Sequence, residues 1–247
     1  LSEGMRLARA AGLQAIEALM QDGLAMALNM LGRHDEARAA VEAAHRISGA
    51  AGDATQRVYN LYNLSQSHSL AGEPALALPW ALQALELAQR IGFAYFLPYV
   101  HVQLALVHLA MHRIDEARRE LDASQRLAVD HQDFVVLAAL HEAKGRLALA
   151  ECEHRLARQH IGIAARLCLD HHNVITGADL VLTAARLLGL TPLARAWLDA
   201  LMALPEVQEP VRRQVLAARG AKPQTHPDTP LPSLRELLAQ LVALPLA

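Results

Sequence analysis

Aromatic side chains are scarce in this chain, with three Phe, four Tyr and two Trp among 247 residues, or 4%. Ala, Leu and Arg dominate instead, and 53% of the residues are hydrophobic, a composition that favours helix. Lysine is nearly missing: Lys144 and Lys222 are the two examples among 23 basic residues, which reads as codon bias toward Arg. An excess of charge of one sign is missing as well, since the formal net charge is -2, and this lacks the basic footprint of a nucleic-acid surface. Cysteine occurs twice, at Cys152 and Cys168, in no zinc-binding spacing and without a secretory leader, so two free thiols and a cytoplasmic setting are expected. No run of 18 apolar residues occurs, so no membrane span is expected.

Motifs that carry chemistry are missing too. There is no Gly-x-Ser-x-Gly elbow and no dinucleotide turn, Gly220-Ala221-Lys222 lacks the rest of a phosphate loop, and His141-Glu142 lacks the second His of a zincin. No enzyme activity and no cofactor are expected. Thirteen histidines raise the question of a metal. His108 and His112 are i, i+4 on one helix, and His101 and His141, like His68 and His108, stand 40 residues apart, yet no further ligand is placed to close a site. They read as half-buried helix positions, with no metal.

What the chain has in abundance is repetition. Ala37, Ala77, Ala117 and Ala157 are 40 residues apart, as are Ile47, Leu87, Leu127 and Leu167, and as are Gly12, Gly52 and Gly92. A period in this range marks a stacked helical repeat, and 247 residues then count repeats rather than globular domains, so one elongated domain is expected. Apolar spacing predicts helix pairs over 13–31 with 34–48, 55–71 with 75–90, 96–111 with 114–130, 134–151 with 153–170, and 174–188 with a helix to about Leu204 that starts at Thr191-Pro192. The recurring Ala just beyond each tight turn lets the two helices approach closely.

The residues Tyr62-Asn63-Leu64-Ser65, Gly72, Ala77 and Ala84-Leu85-Glu86-Leu87, with Gly32, Glu36-Ala37 and Ala44 one period earlier, resemble the tetratricopeptide repeat. His112 and Cys152 stand where the turn Gly belongs, Gln21, Leu61, His101 and His141 replace the large aromatic of the first helix, and each unit is six residues longer than the usual 34. The lengthened form, ending as in Leu87-Ala88-Gln89-Arg90-Ile91-Gly92, is similar to the helical-repeat region of large bacterial ATP-dependent transcription activators of the maltose-activator type, and to arrays carried by nucleotide cyclases. The resemblance implies an all-α fold, a right-handed α-α superhelix built as a solenoid of helix hairpins. It also implies a concave face lined by the first helix of each pair. Tyr59, Tyr62, Asn63, Gln66, Tyr99, Val102, Leu106, Glu142 and Arg146 are then the candidate groove, with Asp22 and Met26 at its start, and the occupant is a protein or peptide. A clamp for a terminal carboxylate is not expected, because Asp22, Met26, Asn63, Tyr99 and Gln103 fill its places and none is a cation.

Glu3 to Gly12 matches Gln83 to Gly92, so residues 1–12 read as the end of a truncated repeat in a fragment of a longer protein. Repeats fill 13–205, an extra helix 206–221, a Pro-rich linker 222–232 and an amphipathic helix 233–247. The apolar stripe Leu234, Leu237, Leu238, Leu241 and Val242 must find cover, either on its own solenoid or on another subunit in a homodimer. The function expected is a ligand-sensing or partner-binding module of a transcription regulator or signalling protein. The alternatives are a stand-alone adaptor for protein assembly and an accessory region of a nucleotide cyclase.

Overall fold

The computed structural model describes residues 2–128, 133–171, 174–189, 191–205, 207–219 and 232–244. Among them are thirteen α-helices, one short 3-10 turn (Ala94–Phe96) and no strand, so the fold is all-α and built of helix hairpins. A short helix α1 (Ser2–Ala10) precedes the hairpins α2 (Gln14–Met30) with α3 (His34–Ala50), α4 (Ala54–Leu70) with α5 (Pro74–Arg90), and α6 (Leu97–Ala110) with α7 (Ile114–Ala128). Then come α8 (Phe134–Ala150) with α9 (His154–Asp170), α10 (Val174–Leu188) with α11 (Pro192–Ala203), and finally α12 (Glu209–Arg219) and α13 (Leu234–Val242). Where one elongated domain was expected, the chain divides into two compact units, Leu1–Leu127 and Ala128–Ala247. The reason is that burial is local in a repeat, and each unit closes its own apolar core.

Seven of the helices end where they do because a residue with positive φ follows them, in a register of 20 residues from position 12 to 112 and again at 152. Gly12, Gly32, Gly52, Gly72 and Gly92 hold φ between 68° and 80°, and His112 and Cys152 hold 58° and 62°. At each of them the next residue's N–H reaches back five residues, as from Glu73 to the His68 carbonyl (2.9 Å) and from Arg113 to that of His108 (2.9 Å). This left-handed cap satisfies carbonyls that a helix end leaves orphaned. Asp53 and Asp133 then cap the start of α4 and α8, accepting from the N–H of Gln56 and Val135, and Thr191 accepts from Ala194 at the start of α11.

Close packing within hairpins rests on small side chains. Ala37, Ala77, Ala117 and Ala157 are fully buried. In the facing helix the positions 25, 65, 105, 145 and 185 carry Ala, Ser, Ala, Gly and Ala, a second small series. At Gly145 the reason is visible: an added Cβ would lie 2.8 Å from Ile161 and 3.5 Å from the Ala157 carbonyl.

In the second unit α12 packs over α10 and α11, and Arg212 fastens the turn between α11 and α12 by donating to the carbonyls of Met202, Leu204 and Val207. Helix α13 starts with a capping box of Ser233 and Glu236 and returns to α9 and α10. Leu234, Leu237, Leu238 and Leu241 are buried there, and Trp197 of α11 donates to Gln240 (2.8 Å). The stripe is thus covered within its own unit. Of the linker expected over 222–232, all but Pro232 lies outside the described residues.

Candidate functional site

In the first unit the first helices α2, α4 and α6 adjoin one another, and a polar ladder joins them. Asp22 of α2 accepts from Gln56 Nε2, from Asn60 Nδ2 at 2.8 Å and from Asn63 Nδ2 at 3.3 Å. Two turns further along α2, Asn29 donates to Ser67 (2.8 Å), and between the next two helices Gln103 donates to Ser65 (3.1 Å) and Ser69 (3.0 Å). Burial raises the Asp22 carboxyl pKa in spite of the three amides that favour its charge. Asn63 and Gln103 are therefore committed to neighbouring helices.

Beside the ladder lies an aromatic cluster. Phe93, Phe96 and Tyr99 form a column, with centroids 5.7 Å and 5.2 Å apart and planes within 19° of parallel. Tyr59 and Tyr62 of α4 meet Phe96 edge-on at 4.5 Å and 5.1 Å, and Tyr95 meets Tyr99 at 6.3 Å. These geometries are the favoured ones for aromatic pairs. Phe96 is buried, Tyr59, Tyr62, Phe93 and Tyr99 are half-buried, and Tyr95 is 48% exposed. The cluster exists because Phe93 stands where Asp53 and Asp133 cap their helices, so α6 is entered through the 3-10 turn that carries Tyr95 and Phe96. Burial pushes the Tyr62 phenol up to about 12, so it stays a donor at neutral pH.

The structure brings Tyr59, Tyr62 and Tyr99 together around Phe96, while Asn63 is bonded to Asp22. Gln66 and Leu106 are half-buried, whereas Val102 is buried at 5% exposure and offers no contact surface. Phe93, Tyr95 and Phe96 were missed as site residues, although their density in an aromatic-poor chain was a signal. Glu142 and Arg146 lie in the second unit, in a charge cluster with Asp179, which sequence reasoning did not find. Arg146 bonds Glu142 and stands 3.6 Å from Asp179, and its Nε has no partner although buried. Burial raises both carboxyl pKa values. Arg186 of the same helix as Asp179 donates to Gln214 of α12 (3.2 Å).

Several of the histidines pair within hairpins. His101 Nδ1 meets Glu120 at 2.6 Å, and one period on His141 Nδ1 meets His160 Nδ1 at 3.0 Å, where one ring donates and the other accepts. His68 pairs with Glu73 at 2.8 Å. Burial, then the His160 neighbour, lowers His141 to about 4. Among the described residues no group of three or more His, Cys, Asp or Glu converges on a metal position, both cysteines are free thiols, and no helix is long and apolar enough to cross a membrane.

The hairpins α2–α3 and α4–α5 hold the register of small residues, turns and ladder just described. Residues 15–90 match the tetratricopeptide repeat. This stretch is thus a repeat array of the tetratricopeptide type, a kind of array that generally mediates contacts between proteins. No curated protein matches the chain. The tetratricopeptide match ends at Arg90, and the aromatic column begins three residues later, so the cluster joins the matched hairpins to the next one.

Proposed function

We propose that the chain is a partner-binding module whose first unit takes an extended segment of another protein across α4 and α6. The observation that carries this reading is the concentration of aromatics: six of the nine in the chain, including all four tyrosines, lie in one cluster formed by α4, the 3-10 turn that leads into α6 and the first turn of α6. Tyr59, Tyr62 and Tyr99 give rigid contact area with a polar tip, and Gln66 and Leu106 continue the face toward the ends of the helices. In the second unit Glu142 is buried and paired with Arg146, so these two candidate positions are left out of the proposed face. The wider role we infer is the sensory arm of a bacterial transcription regulator or signalling protein, supported by the lengthened 40-residue repeat that such arrays carry.

The test is a selection of random twelve-residue peptides on the intact chain, followed by titration of the enriched peptides against Tyr59→Ala and Tyr99→Ala. Peptides that lose ten-fold or more in affinity on both variants support the site. Enrichment of peptides that bind both variants as tightly as the wild type places recognition elsewhere and refutes it.

A further inference from the structure

The chemistry of the aromatic face, taken with the reading just given on which this inference rests, narrows the class of ligand. None of the six rings carries a charge, and Asp22, the carboxylate bonded to Asn63, is already occupied by three amide donors. The face therefore offers ring surface and hydroxyl groups. Within the described residues the hydroxyls of Tyr59 and Tyr62 make no hydrogen bond, and both side chains are half-buried. What they lack is an acceptor brought in by a ligand.

Three backbone conformations compete to supply it. An α-helix spends its carbonyls internally, so it presents side chains and leaves the two hydroxyls unmet. A β-strand needs a strand edge to pair with, and the described residues hold no strand. A polyproline II segment has no internal hydrogen bonds and all its carbonyls outward. Its prolyl residues add no N–H that would need an acceptor, and an all-hydrocarbon ring suits an aromatic plane. We propose that the aromatic face of the first unit binds a proline-rich segment of a partner in the polyproline II conformation, with prolyl rings against Phe93, Tyr95 and Tyr99 and carbonyls accepting from Tyr59 and Tyr62.

The experiment is a fluorescence-anisotropy titration of the full chain with three labelled peptides of equal length: decaproline, a Gly-Ser peptide and an amphipathic Ala-Leu-Lys helix. Decaproline should bind in preference to the other two. Tyr95→Ala should weaken it ten-fold or more, and Tyr62→Phe, which keeps the ring and deletes the donor, about three- to ten-fold. Circular dichroism checks that both variants fold. If decaproline binds no better than Gly-Ser, or binds both variants like the wild type, the assignment is overturned. Tyr95-dependent binding of the helical peptide in its place overturns the proline-rich class while leaving the peptide-binding reading intact. Absence of any Tyr-dependent binding overturns both.

Discussion

His112 and Cys152 hold a left-handed backbone at turns where Gly12, Gly32, Gly52, Gly72 and Gly92 do the same work elsewhere. For a residue with a Cβ that conformation costs about 1–2 kcal/mol, and glycine avoids it at an entropic loss of about 0.5–1 kcal/mol. Both side chains are exposed, so little contact is lost on removing them. His112→Gly and Cys152→Gly are each expected to stabilise the chain by about 0.5–1 kcal/mol, read as a higher urea midpoint at unchanged slope. A lower midpoint for both variants would show that these side chains are held by interactions that outweigh the strain. The reverse change, Gly72→Ala, is expected to destabilise by about 1 kcal/mol, because nothing crowds the position and the backbone angle alone decides.

Hairpin α8–α9 sets two titrating groups of opposite sense side by side. His141, lowered to about 4, binds a proton in the unfolded chain before it does in the fold, so its contribution is complete above about pH 6.5 and is lost as pH falls toward 4. Glu142, raised to about 7 by burial, keeps its proton longer in the fold, so its contribution is complete below about pH 4.5 and is lost as pH rises through 7. Relative to the wild type, His141→Leu should therefore gain stability at pH 4.5 over pH 7, and Glu142→Gln at pH 8 over pH 5, each by on the order of 1–2 kcal/mol after allowance for partial screening. Urea titrations across this range decide it; parallel stability curves for wild type and variants would contradict both assignments. The elements themselves were legible in the sequence, since a 3.6-residue apolar spacing closed by a recurring turn signal puts most helix ends within two residues. The partners of polar groups were not. Asn63 reads as a free groove residue until α2 brings Asp22 to it, and Glu142 and Arg146 read as groove residues until α10 adds Asp179. Such pairings depend on how the third helix packs, which no local pattern encodes.

The division into two compact units is the feature least visible in a sequence whose period runs on past it. Each unit holds one tryptophan, Trp80 in the first and Trp197 in the second, so each core has its own optical reporter. Trp197 is bonded to α13 through Gln240, and Leu237 of α13 is fully buried in the same core. Truncating it by Leu237→Ala removes buried methyl groups and leaves a cavity, a change that costs about 2–5 kcal/mol. If stability in each unit is local, as expected for cores that share no residue, the cost falls on the second unit alone. In a Trp80→Phe background the urea transition seen by Trp197 should then move to lower denaturant with Leu237→Ala, while in a Trp197→Phe background the transition seen by Trp80 should stay where it is. Equal shifts in the two backgrounds would mean that the chain unfolds as one cooperative body. Binding at the tyrosines of the first unit would then draw on the packing of α13 in the second.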